Sequence, residues 1–183
     1  MRSGLAEMLK HGLIADKNYW DQFKNLKNLQ PDDLNDLIYR SIQIKNKIVS
    51  EDLTENGIRK SLNFGHTLGH AIESYFLEQE DKITLLHGEA IAVGMILESY
   101  ISKEKNLLTT SEYHEIKYII NDLYEHIIFT EKDIINIIEL LIFDKKNEFG
   151  TIQFALLNGI GNSKINETSS NELIYSAFED YFI

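Results

Sequence analysis

The chain has 183 residues, 43% hydrophobic and 26% charged, which is enough apolar content for one buried core and too much for a disordered polymer. Its 18 basic and 29 acidic residues leave a formal charge of −11, a field that repels nucleic-acid phosphates and anionic lipid headgroups, so neither nucleic acid nor membrane is an expected partner. The absence of cysteine removes disulfides, thiolate zinc sites and cysteine nucleophiles; with no secretory signal and no apolar run of roughly 18 residues, the expected location is the cytoplasm.

Leu5, Met8, Leu9, Gly12 and Leu13 recur at helical spacing and predict a first helix, followed by a short second one through Tyr19, Trp20 and Phe23. Pro31, with Asp32 and Asp33 behind it, suits the first turn of a third helix. The buried stripe of that helix is predicted as Leu34, Leu37, Ile38, Ile42 and Ile44. The polar run SEDLTENGI at 50–58 reads as a loop. Helical spacing resumes over 61–77 and 88–104, and further helices are predicted from Ser111, Thr130 and Ser169. The last two starts, Thr130-Glu-Lys-Asp and Ser169-Ser-Asn-Glu, have the residue types of a capping box. TIQFALLNGIGNSKI at 151–165 alternates and carries Asn158-Gly159, a hairpin-turn signature. The predicted fold is mainly α, a helical bundle-like domain with a short β-hairpin near 151–165.

Ionisable residues crowd the stretch from Arg59 to Glu89. His66 and His70 lie one helical turn apart, and Asn63 and Arg59 precede them at similar steps, so one continuous helix would line up all four. Gly65 and Gly69 would each cost that helix about 1 kcal/mol relative to alanine, a feature that makes sense where a backbone or ligand approaches closely. His87 opens the next helix. Singly, these residues have ordinary explanations. An HxxxH pair is more often packing than a metal site, and Glu7 with Lys10 is normally a surface ion pair.

Four blocks in order outweigh that: GLAEMLKHGLI (4–14), IKNKIV with GIRKSLNFGHTLGHAIE (44–73), LHGEAIAVGM (86–95) and DKKNEFGTIQFALLNGIG (144–161). Together, across nearly the whole chain, they resemble the 3-dehydroquinate synthase family. That family joins an N-terminal nucleotide-binding α/β domain to a mainly helical C-terminal domain, and residues 1–183 resemble the second alone, a single metal- and substrate-binding domain. No Gly-rich dinucleotide loop follows a strand in this sequence.

The resemblance implies a homodimeric parent lyase of the shikimate pathway, converting 3-deoxy-D-arabino-heptulosonate 7-phosphate to 3-dehydroquinate and phosphate with NAD and Zn2+ or Co2+. It implies Glu7, His66 and His87 as metal ligands, an oxygen–nitrogen–nitrogen set that leaves room for substrate. It casts His70, Lys10 and Asn63 as catalytic, with His70 handling protons. It assigns Lys10, Lys45, Glu55, Arg59, Asn63, His70 and one of Lys145 and Lys146 to binding a small, anionic, phosphorylated substrate. Lys10, Lys45, Arg59 and Asn63 should line one anion cleft, with Lys145 and Lys146 at its rim, because such a ligand demands local cations against the global charge. Without a dinucleotide site, the chain alone is expected to be inactive. The alternatives are a related sugar-phosphate cyclase, a metal-dependent alcohol or glycerol dehydrogenase, and a non-catalytic helical interaction module.

Overall fold

The computed structural model describes residues 2–28, 31–80, 82, 84–146 and 152–182, leaving aside the side chains of residues 2, 25–28, 31–32 and 143–146. The order is α1 (Arg2–Ala15), α2 (Lys17–Trp20), a 3-10 stretch (Asp21–Asn28), α3 (Pro31–Glu51), a second 3-10 stretch (Ile58–Asn63), α4 (His66–Leu77), α5 (His87–Glu104), α6 (Thr110–Leu123), α7 (Glu131–Lys146), β1 (Gln153–Leu157), β2 (Ser163–Thr168) and α8 (Asn171–Tyr181). The mainly helical fold with one hairpin is therefore as predicted. No described helix is long and apolar enough to cross a membrane.

α5 forms the axis. Ala90, Ile91, Ala92, Val93, Met95, Ile96 and Leu97 are all buried, so the helix is apolar on every side, as a fully surrounded helix must be. α1, α4, α6, α8 and β1 pack around it. Truncating a side chain such as Leu97, which is 0% exposed, to alanine would cost about 2–5 kcal/mol.

α4 and α5 meet backbone to backbone. A Cβ on Gly94 would lie 2.1 Å from the Gly65 carbonyl oxygen, and one on Gly69 would meet Ile91 Cδ1 at 2.7 Å. It is a neighbouring helix, not a ligand, that requires those glycines. Gly65 has φ +76° and stands outside the helix as the N-cap of α4. The helix predicted over 61–77 is consequently broken: a 3-10 stretch ends at Asn63 and α4 begins only at His66. Arg59 and Asn63 do not share a helix face with His66 and His70.

Other expectations shift in detail. In α3, Leu37 and Ile48 are buried with Ser41, and Ile44 is partly buried, but Leu34, Ile38 and Ile42 are exposed. Apolar spacing marks two adjacent sides of this helix, and α1 covers only one. α3 also takes up Ser50 and Glu51 from the predicted loop. Thr130 and Asp133 do form a reciprocal cap, the Thr130 N–H donating to Asp133 Oδ2 at 2.7 Å and the Asp133 N–H to Thr130 Oγ1 at 3.3 Å. At α8 the cap is Ser170 instead of Ser169, while α6 has an unpredicted capping box between Thr109 and Glu112. The hairpin loop is longer than a two-residue Asn158-Gly159 turn, and β2 continues to Thr168. In that loop the Gly161 N–H donates to the Leu13 carbonyl at 2.8 Å, satisfying an acceptor at the end of α1.

Candidate metal and substrate site

α1 carries Glu7 and Lys10 to where α4 begins. Lys10 is 2% exposed and donates to Glu7 Oε1 at 2.7 Å, so a buried ammonium meets a half-buried carboxylate and the pair is not the usual surface one. Burial holds the Lys10 pKa below its ordinary value, and Glu7 offsets only part of that. Burial would raise Glu7, but Lys10, His66 and His11 overcome it and hold the carboxyl below its ordinary value. Glu7 is therefore ionised at neutral pH.

His66 Nε2 lies 3.5 Å from Glu7 Oε1, and His66 Nδ1 lies 3.2 Å from the Phe64 carbonyl oxygen. A carbonyl can only accept, so Nδ1 carries the proton and Nε2 turns its lone pair toward Glu7. Burial first, then Lys10, hold the His66 pKa down to about 4, leaving the ring neutral at pH 7. An unprotonated imidazole nitrogen beside a carboxylate is a suitable pair of ligands for zinc or cobalt.

His87 opens α5 opposite. Its Nδ1 lies 3.0 Å from Glu73 Oε2, and His70 Nδ1 lies 3.4 Å from the same oxygen. The centroid separations are 5.7 Å for His66–His87, 5.2 Å for His66–His70 and 5.4 Å for His70–His87. Among the described residues, the ligand atoms that gather within 4.8 Å of one another are those of His70, Glu73 and His87. Of the expected ligand set, Glu7 approaches His66 at 3.5 Å and the His66 and His87 rings stand 5.7 Å apart, so the three face one region without meeting that spacing. Glu73 was absent from the sequence expectations, although its i, i+3 spacing from His70 was legible. Burial would raise its pKa, yet His87 and His70 hold it down. A carboxylate accepting from Nδ1 leaves Nε2 of His87 as the free acceptor, an arrangement that orients metal-binding imidazoles.

Two clefts meet at His66. The smaller, about 230 Å³, is lined by Glu7, Lys10, Lys45, Arg59, Asn63 and His66 among others. The larger, about 420 Å³, runs past Asn63, His66 and His70 to Lys60, Phe154 and Asn166. Lys60 and Asn166, joined by a 3.1 Å hydrogen bond, were not expected there. The loop after α3 turns Arg59 and Asn63 toward these clefts despite the missing helix. The Asp52 carboxylate accepts from the N–H groups of Asn56, Gly57 and Arg59 at 3.2, 2.8 and 3.1 Å, a local side-chain-to-backbone turn. Glu55 lies 3.5 Å from Arg59 Nε and accepts from Asn63 Nδ2 at 3.2 Å, so it steadies both residues. Lys45 Nζ stands 4.0 Å from Glu7 Oε2. Lys145 and Lys146 close α7, but their side chains lie outside the described ones.

The chain is 39% identical over 182 residues to a 3-dehydroquinate synthase of Parabacteroides distasonis, covering 98% of this chain and 51% of that protein. It is 36% identical, over the same shares, to a 3-dehydroquinate synthase of Helicobacter pylori. The chain thus spans about half the length of the curated relatives it matches. Among solved structures, the 2-epi-5-epi-valiolone synthase ValA from Streptomyces hygroscopicus, with NAD+ and Zn2+ bound, superposes with a TM-score of 0.78 at 24% identity, over 99% of this chain and 51% of that one. A 2-deoxy-scyllo-inosose synthase complexed with carbaglucose-6-phosphate, NAD+ and Co2+ gives 0.73 at 27% identity, over 98% and 51%. The family profile described as 3-dehydroquinate synthase C-terminal matches residues 4–147, and the chain belongs to that family.

Proposed function

We propose that this chain is the metal- and substrate-binding half of a 3-dehydroquinate synthase, acting on 3-deoxy-D-arabino-heptulosonate 7-phosphate. The observation that carries the reading is one cleft lined by Glu7 and His66 together with Lys10, Lys45 and Arg59. A carboxylate, a neutral imidazole and three cations suit a divalent ion beside a phosphorylated acid. Relatives of twice this length, and an inosose synthase holding Co2+, NAD+ and a sugar-phosphate analogue, support the same division.

Glu7, His66 and His87 would hold zinc or cobalt, with Glu73 steadying His87; the bound ion supplies polarisation of a substrate hydroxyl during its oxidation by NAD. The remaining work falls to the chain's own side chains. Lys45 and Arg59 bind the phosphate and carboxylate. Lys10, shielded from water, holds Glu7 in place and reaches a substrate hydroxyl. Asn63 donates to a second hydroxyl, and His70, 58% exposed, accepts and returns a proton beside the leaving phosphate. The nucleotide would be held by a further domain, so the isolated chain would bind the ion without turning over substrate.

The test is phosphate release with NAD, Zn2+ and the seven-carbon acid phosphate. The 183-residue chain is expected to release none above background. A longer protein carrying this chain behind a nucleotide-binding half is expected to release it. In that protein Arg59→Ala should raise KM, because a charge-assisted contact contributes about 1.5–3 kcal/mol. NAD-dependent turnover by the chain alone would refute the division of labour. Activity of the longer protein on a sugar phosphate lacking the carboxylate, and not on the acid, would favour a related cyclase.

A further inference from the structure

Glu98 is 0% exposed near the middle of α5, and the chemistry proposed above does not use it. Its Oε2 accepts the Gly65 N–H at 2.7 Å and its Oε1 accepts the Leu68 N–H at 3.1 Å. Such donors at the start of a helix lack intrahelical acceptors and are usually satisfied by the N-cap side chain. At α4 the N-cap is Gly65, which makes no side-chain bond. It also has no room for a side chain, since a Cβ there would lie 2.5 Å from Met95 Cγ. One turn before Glu98, Gly94 leaves the space into which the Gly65 carbonyl fits. α5 therefore supplies both the opening and the acceptor for the start of α4, and His66 is the first residue of that helix.

We propose that Glu98 is a positioning residue for the cation site: it pins the N-terminus of α4 from the neighbouring helix and so sets His66 Nε2 against Glu7. Fully enclosed, it touches neither substrate nor ion. The metal half of this inference rests on the reading of Glu7, His66 and His87 as ligands, and the experiment separates the two.

The 183-residue chain is compared with Glu98→Gln, which preserves volume but turns one acceptor into a donor facing an N–H. Tyr113→Phe serves as control, because it removes the hydroxyl bond to Asp180 between α6 and α8. The readouts are the His66 ring resonances without metal and Co2+ affinity from visible absorption. Glu98→Gln is expected to split or broaden the His66 resonances and to weaken Co2+ binding about tenfold or more, as loss of outer support does at metal sites. The control should leave both near the parent values, within about twofold, as distant sites do. Unchanged His66 resonances in Glu98→Gln would overturn the proposal. If the parent takes up no Co2+, the metal reading fails by itself and the resonances still decide the role of Glu98. If Glu98→Gln does not fold, hydrogen exchange in the parent decides. Gly65 and Leu68 amides as protected as the centre of α4 support the pin, and exchange at the rate of a frayed helix end refutes it.

Discussion

Asp133 and Glu7 anchor two polar clusters, the first buried and the second at a cleft wall, and the clusters are completed differently. Asp133 is 2% exposed, and both its oxygens are partnered. Oδ1 accepts from the Tyr75 hydroxyl at 2.7 Å, and Oδ2 from Lys82 Nζ at 2.8 Å and the Thr130 N–H at 2.7 Å. Around Glu7, Oε1 takes Lys10, but Oε2 has Lys45 Nζ and His11 Nε2 at 4.0 Å, beyond hydrogen-bonding reach. Buried His11 Nε2 has no hydrogen-bond partner among the described residues. A closed polar cluster contributes stability through its paired groups, whereas one with an oxygen left open to a cleft contributes less.

The contrast predicts opposite responses to removing each carboxylate. Asp133→Ala removes the acceptor shared by Lys82 Nζ, the Tyr75 hydroxyl and the Thr130 N–H, and should cost about 3 kcal/mol of stability, read as a lower urea midpoint, with Co2+ affinity unaltered. Glu7→Gln keeps an oxygen for Lys10 but removes the charge opposite that buried ammonium, so it should lower the midpoint by less than Asp133→Ala does and weaken Co2+ binding by more than about 100-fold, beyond the range for an outer residue. A large fall in midpoint for Glu7→Gln would erase the difference between the clusters. Glu73→Ala should weaken Co2+ by about 10–100-fold, the range for a residue that orients a ligand. A loss equal to that of Glu7→Gln would instead move Glu73 into the inner set with His70 and His87.

Acid sharpens the same comparison. Burial alone would raise the Asp133 pKa, but Lys82, the Thr130 N–H and Tyr75 hold it down to about 2, against an ordinary 3.8. A depressed carboxylate stabilises the fold above the unfolded value and loses that contribution as pH falls through the folded one. Urea midpoints measured between pH 3.8 and 2 should therefore fall more steeply in the parent than in Asp133→Asn. The smallest effect is expected at Lys45, whose side chain is 53% exposed. Lys45→Ala should change stability by less than about 0.5 kcal/mol, while weakening the retention of inorganic phosphate measured by calorimetry.

Long periodic elements were legible from the sequence because one face of each had to be apolar: α1, α5 and α6 appear where their spacing put them. What failed depended on neighbours. Apolar spacing in α3 could not distinguish the side packed on α1 from the side left exposed, so Leu34, Ile38 and Ile42 were misplaced. The ligand set Glu7, His66 and His87 came from the family resemblance alone, because the three lie in separate elements and no spacing within one element relates them. Glu73 and Glu98 escaped notice because their roles are contacts across helices. Glu98 nonetheless left a trace: in ILESYIS it is an ionisable residue in an enclosed stretch of α5, and a buried polar group requires partners.

The bond from Gly161 to Leu13 has a consequence for the order of events during synthesis. α1, the bearer of Glu7, has 14 residues, and an isolated helix shorter than about 15 residues is marginal in water. Its far end gains that donor only once the hairpin has left the ribosome, on the order of 10 s after α1 at usual elongation rates. Until then α1 lacks the donor that closes its far end, and Glu7 rides on a helix still free to fray. The helix that bears Glu7 is thus among the first elements to be made, yet its far end is tied down only by a hairpin that, of the described elements, precedes α8 alone.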